Sequence, residues 1–322
     1  MKFRNWRKLI ICLLFIIFLV SCTNVENNEV KDSDILEEDM VNEADTIEND
    51  IDYSSFIKKI WINESSEQQD NIDDLFLYLN KVESDNVEGE IFIGKMPISS
   101  YYYYNPPFSE KYPWNLIGTV KGDSVECELF GEEMNGNISL ALNNAYIEGN
   151  VELTEEVVLN DKFIDEDRYK FRPYTINDVT LKYNEMGIST TLLDEHSYGV
   201  HIDTWGKVYF KSMMINSNKS HPAFFLTNEE NEILYQLNAP FQNGLDVTEI
   251  SIDDIDRDGL EDIVVILGDK DTSIGGVVAW IFFQTEDGFF CVRNEVQKDL
   301  NIKYYDTINL KTKTLKEYFE FK

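Results

Sequence analysis

Between residues 88 and 293 the chain carries a series of short segments with the pattern of strands, most of them alternating apolar and polar residues with period two, the spacing that sends successive side chains to opposite faces. Residues 88–94, 115–120, 124–130, 138–142 and 146–153 each carry that alternation. Lys121-Gly122-Asp123, Asn135-Gly136-Asn137 and Asn143-Asn144 separate them as turn sequences, which predicts an antiparallel meander. A second series follows at 199–203, 206–210, 223–226, 233–237, 246–250, 263–267, 277–284 and 289–293, the last two joined by the hairpin signal Asp287-Gly288. The period lengthens to three and four at two places. Ile72, Leu75, Phe76, Leu79 and Val82 predict a helix over 71–83, with Asp70, Asp73 and Asp74 near its N-terminus, where the macrodipole favours anions. Ile176, Val179, Tyr183 and Met186 predict another, with Thr175 as N-cap and Gly187 as the residue after its end. Residues 313–321 fit either a short helix or a last strand. No self-similarity at a period of roughly 20–50 residues appears, which argues against a solenoid or propeller array. The expected fold class is mainly β with a minor α+β character: an antiparallel β-meander domain, then a second β-rich domain, with few short helices.

Two segments ahead of these elements do not pattern as folded structure. Lys2, Arg4, Arg7 and Lys8 precede an unbroken run of 12 apolar residues, 9–20, closed by Leu19-Val20-Ser21-Cys22. As a helix that run rises about 18 Å, well short of a hydrocarbon core of ~30 Å. It therefore reads as the core of an export signal and not as a spanning helix. The tetrapeptide resembles the lipobox of bacterial lipoproteins, in which a small residue precedes an invariant cysteine. The resemblance implies a signal peptide over 1–21, cleavage before Cys22, and a Cys22 acylated (palmitate-type chains) through its sulfur. Two acyl chains give stable anchoring where one gives only marginal binding, so the expected location is the outer face of the bacterial cytoplasmic membrane. The competing expectations are a secreted protein cut near Ser21 and an uncleaved anchor.

Residues 22–55 follow as an acidic tether. From Glu26 to Asp52 there are 12 acidic residues against one basic residue, Lys31. Such a segment buries too little apolar surface to offset its chain entropy. Beyond it the expected domains are 56–165, β-rich with a leading helix, and 166–322, β-rich and carrying an Asp-rich loop; the charged stretch 160–172 marks the junction. The whole chain holds 28 Lys and Arg against 60 Asp and Glu, a formal charge of −32. Loss of the signal would remove four basic residues and no acidic ones, taking −32 to −36. So acidic a body repels nucleic acid and anionic headgroups and favours cations or a basic partner. Of the 4 cysteines, Cys12 lies in the signal and Cys22 takes the lipid, leaving Cys127 and Cys291. Both read as inward strand positions, where cysteine serves as a small hydrophobe. Whether they pair is open, since a bridge needs Cα atoms within about 7 Å. No CxxC pair is present, which removes thiol-redox and zinc-ribbon readings.

The densest chemistry lies in Asp254-Ile255-Asp256-Arg257-Asp258-Gly259-Leu260-Glu261-Asp262, which runs into the β-branched stretch 263–267. Aspartates fall at loop positions 1, 3, 5 and 9, with glycine at 6. Calcium takes six to eight hard oxygen ligands, so alternating carboxylates on a tight loop suit it. An EF-hand would need glutamate at position 12, where Val265 stands within a predicted strand. The loop resembles instead the calcium loops of FG-GAP repeats, known from integrin α chains and many exported bacterial proteins. That resemblance covers about 15 residues in a single copy, and it implies Ca2+ held structurally by Asp254, Asp256, Asp258, Asp262 and the carbonyl of Leu260. The competing account is a solvated Asp-rich turn, in which six carboxylates, from Asp253 to Asp262, are offset by Arg257 alone.

Other constellations carry less. Tyr101, Tyr102, Tyr103 and Tyr104, with nearby prolines and Trp114, form the richest aromatic stretch, either a glycan, peptide or protein contact surface or a set of rings capping the β core. His201-Ile202-Asp203 puts His and Asp on one strand face without a third ligand in sequence. No nucleophile elbow, zinc-binding helix or phosphate loop accompanies it, and no catalytic residue is assigned. The function expected is that of a membrane-anchored envelope lipoprotein that binds a protein or glycan partner and does not catalyse. The alternatives are an envelope glycan or peptidoglycan hydrolase and a transporter's solute-binding lipoprotein, the last calling for βα lobes that the pattern lacks.

Overall fold

A computed structural model describes residues 52–64, 74–83, 85–94, 114–131, 135–143, 145–153, 168–217, 220–239, 241, 244–268, 276–304, 307 and 310–320. They belong to one compact unit, Asp50–Lys322. The protein is mainly β, as the alternation predicts.

Eight antiparallel strands close into a barrel in sequence order. They are β1 (Ile60–Asn63), β2 (Asp74–Glu83), β3 (Asn86–Gly94), β4 (Trp114–Lys121), β5 (Ser124–Phe130), β6 (Asn135–Asn143), β7 (Tyr146–Leu153) and β8 (Arg168–Pro173). Closure comes from β1, which pairs with β2 on one side and with β8 on the other (Trp61 opposite Pro173, Asn63 opposite Phe171). Every second side chain points inward, and Trp61, Leu77, Leu79, Val87, Leu116, Val125, Ile138, Leu140 and Phe171 fill the interior. Closing the sheet leaves no free edge to template aggregation. At Gly118 a Cβ would sit 2.1 Å from the Glu126 carbonyl oxygen, so only glycine fits against β5 there.

The helix expected over 71–83 is corrected: residues 74–83 are strand β2. The reason is burial on both faces. Leu75, Leu77 and Leu79 point into the barrel, while Phe76 and Tyr78 point out of it into a second core. A doubly buried strand reads as a continuous apolar run, and such a run also satisfies a three-and-four spacing. A second correction concerns Asn135-Gly136-Asn137, expected as a turn. These residues open β6, with Gly136 opposite Leu129, and Gly136 lacks the positive φ that a type I′ turn requires. Strand β8, at Arg168–Pro173, is the strand that seals the barrel.

Helix α1 (Ile176–Glu185) follows β8. Thr175 is its N-cap, its hydroxyl accepting from the Asp178 N–H while the Asp178 carboxylate accepts from the Thr175 N–H, a closed capping box. Gly187, at φ 72°, ends it. Burial works to raise the Asp178 carboxyl, but the Arg172 fork and the two Thr175 bonds outweigh it and hold it below its ordinary value.

Two further sheets complete the unit. One contains β9 (Ser189–Leu192), β10 (Tyr198–Ile202), β11 (Gly206–Asn216), β12 (His221–Thr227) and β13 (Ile233–Leu237), with β9 and β10 both paired to the long β11. The other runs in order β14 (Asp246–Asp253), β15 (Asp262–Gly268), β16 (Val278–Gln284) and β17 (Phe290–Cys291). Its central strands are buried on both faces. Ile263, Val265, Leu267, Trp280 and Phe282 face the first sheet and share a core with Ile60, Ile62, Phe76, Tyr78 and Phe92 on the barrel's outer wall. Val264, Ile266, Ala279, Ile281 and Phe283 face the opposite way and are covered by Leu300 of α2 (Asn294–Tyr304) and by Leu315 and Tyr318 of α3 (Thr312–Glu320). The strand expected over 289–293 ends at Cys291, and the α2 helix that follows is not among the expected elements. Among the described residues no helix is long and apolar enough to cross a membrane.

Candidate cation site at the Asp-rich loop

The aspartate loop joins β14 to β15, and Asp253 opposite Asp262 is the last paired rung before it. Ile255 anchors it from below, 1% exposed and packed with Val264, Ile281 and Leu315. Gly259 turns the chain back at φ 91°, and Arg257 also takes a positive φ of 66°. Asp262 is fully buried. One of its carboxylate oxygens accepts from the Ile255 N–H and the other from the Gln284 N–H, both at 3.0 Å. That single carboxylate therefore ties the loop to its own start and to β16.

Asp254, Asp256 and Asp262 converge, each offering a carboxylate oxygen within 4.8 Å of the other two. Oδ2 of Asp254 accepts from the Gly259 N–H at 3.2 Å. Its Oδ1, and Oδ1 of Asp256, are buried from solvent and lack a hydrogen-bond partner. Burial of charged oxygens without partners is costly, and a cation drawn to all three carboxylates would satisfy them. Burial pushes the Asp262 carboxyl up to about 6 against the pull of its two backbone donors, with Asp256 and Asp258 adding repulsion. These are hard anionic oxygens on a tight loop, and they fit a hard divalent cation.

The convergence does not extend to the whole predicted ligand set. Asp258 is exposed and turns its Oδ1 onto the Leu260 N–H at 2.9 Å, and neither Asp258 nor Leu260 belongs to the converging group. Basic residues distant in sequence supply part of the charge compensation. Arg293 pairs with Asp256 and Lys316 with Asp253, while the loop's own Arg257 turns away to Glu320. The loop also reaches the turn between β10 and β11, where Glu261 accepts from the Asp203 N–H. No sequence signal could mark Arg293 or Lys316, because the packing of α2 and α3 brings them to the loop.

Other predicted positions resolve differently. Trp114 is 2% exposed and lines the barrel interior, which corrects its place in a contact surface. Tyr101, Tyr102, Tyr103 and Tyr104 lie outside the described residues, as does Cys22. His201 and Asp203 sit 3.9 Å apart, both largely exposed, and neither belongs to a metal-capable group among the described residues. Cys127 and Cys291 are free, the first buried and the second half-buried. No family model, curated protein or solved structure matches the chain.

Proposed function

We propose that the protein is a lipid-anchored extracytoplasmic envelope protein, non-catalytic, whose β-rich body meets a protein or glycan partner and is stabilised by calcium at the loop 254–262. The observation that carries the calcium part is the convergence of Asp254, Asp256 and Asp262 with two buried, partnerless carboxylate oxygens. Asp254, Asp256 and Asp262 would hold the ion, which would supply charge neutralisation and loop rigidity. The anchor rests on the basic, apolar and Leu19-Val20-Ser21-Cys22 sequence of the N-terminus. Together the two parts agree, because an anchored body outside the membrane meets calcium levels high enough to fill even a weak site.

Calcium is expected to raise the melting temperature of the protein, by the equivalent of about 2.7 kcal/mol at roughly 100-fold excess over Kd. Asp256→Ala is expected to abolish that response. Scanning calorimetry in EGTA and in millimolar CaCl2 measures it, and an unchanged wild-type melting temperature refutes the calcium part. For the anchor, Cys22→Ala is expected to move the protein from the membrane fraction to the soluble fraction and to end incorporation of radiolabelled palmitate. Retention of label in that variant overturns the lipid assignment.

A further inference from the structure

Arg293 stands at the junction of β17 and α2, and its main-chain carbonyl accepts from the Gln297 N–H at 2.9 Å in the helix's first turn. Its guanidinium lies 4.0 Å from the centre of the Phe283 ring and donates to Oδ2 of Asp256. Of the basic residues at the loop among those described, it is the one that touches the converging group. Lys316 meets Asp253, outside that group, and Arg257 turns away to Glu320. A positive charge is thus already seated on one of three carboxylates. A dication sharing Asp256 with that guanidinium would meet direct repulsion at short range, in surroundings only partly screened by water.

We infer that Arg293 is the loop's resident counter-cation, and that calcium binding displaces its guanidinium from Asp256. The inference rests on the calcium reading above and adds the residue that limits affinity. Without metal, Arg293 offsets the repulsion among the aspartates and keeps the loop folded. With metal, the same charge works against the ion. The planar fork and the Phe283 ring hold the guanidinium in place, so a flexible ammonium would hold Asp256 less firmly.

Isothermal titration of the detergent-solubilised full chain with CaCl2 tests this. Arg293→Gln is expected to bind calcium about tenfold tighter or more than wild type, since a charge-assisted bond no longer competes. In EGTA the same variant is expected to melt lower than wild type, and in calcium the gap is expected to close. Equal affinities for the two proteins overturn the role of Arg293 and leave the calcium site standing, as does weaker binding by the variant. Absence of binding in both proteins refutes the calcium reading itself. Should Arg293→Gln fail to fold, Arg293→Lys is expected to bind a few-fold tighter than wild type, because the fork and stacking are lost; unchanged affinity there overturns the inference equally.

Discussion

Trp61→Ala is expected to lower the stability of the whole unit by about 3–5 kcal/mol, the range for deleting a large buried aromatic. Trp61 is fully buried inside the barrel. Its ring stacks on Phe56 with centroids 5.9 Å apart, and its indole N–H donates to the Phe56 carbonyl at 3.1 Å. Lys59 lies over the same ring at 5.2 Å. The position matters because of the strand that bears it. Strand β1 closes the barrel through both neighbours, and its flanking residues Ile60 and Ile62 belong to the core shared with the two open sheets. A cavity at Trp61 therefore loosens the barrel at its seam and the attachment of the barrel together. Urea denaturation followed by tryptophan fluorescence and by circular dichroism would show one transition moving to lower urea. Ile117→Ala, at a side chain 53% exposed on the barrel's outside, is the control, expected to change stability by no more than about 0.5 kcal/mol. Two separate transitions, with only the first displaced, would show that the barrel and the sheets unfold independently.

The same doubly committed strands explain where the sequence could be read and where it could not. Strands β4, β5, β6 and β7 face the interior on one side and solvent along most of the other, so polar residues interrupt the apolar ones and the period shows clearly. Strand β2 has a buried partner on each side, and its Leu-Phe-Leu-Tyr-Leu run loses the alternation that would identify it. Strands β15 and β16 are buried throughout and were recognisable because Ile and Val dominate the first and turn signals bound both. Helix α1 was legible because its signals are local: Thr175 as cap, the Ile176, Val179 and Tyr183 stripe and Gly187 follow one another along the chain. Helix α2 was not, since Gln297 and Leu300 alone are buried on it, leaving too faint a stripe. Barrel closure was also out of reach, because β1 and β8 are separated by more than a hundred residues and nothing local encodes their pairing.

Within the loop, sequence spacing singled out the aspartates but did not show that they have different tasks. Asp254 and Asp256 keep oxygens without partners, Asp258 closes an Asx turn, and Asp262 accepts a backbone N–H on each oxygen while still facing the other two. Spacing sees four equivalent carboxylates, whereas burial makes them unequal. The charge that offsets them comes from α2's start and from α3, and is a property of the packed molecule.

That inequality predicts opposite behaviour for two of these residues. Asp262→Ala in EGTA is expected to cost about 3 kcal/mol, because it strands the buried N–H groups of Ile255 and Gln284, each worth roughly 1–3 kcal/mol when left unpaired. Relief of repulsion from Asp256 and Asp258 returns part of the loss. Asp262→Asn retains a carbonyl for one donor and sheds the charge, so its cost is expected to be about 1 kcal/mol. Asp256→Ala strands no backbone donor, and its ion pair joins a carboxylate 12% exposed to an arginine side chain 43% exposed. Its cost without metal is expected to be about 1 kcal/mol, since loss of the half-screened pair is offset by relief of repulsion among the aspartates, while its calcium response is expected to vanish. Urea midpoints of the three variants, each measured in EGTA and in calcium, separate the loop's framework from its ligands. If Asp256→Ala costs as much as Asp262→Ala without metal, Asp256 is part of the framework and the loop is an ion-pair knot and not a cation site. If Asp262→Ala is nearly neutral, the two backbone bonds do not hold the loop to β16, and calcium would have to order the loop as well as fill it.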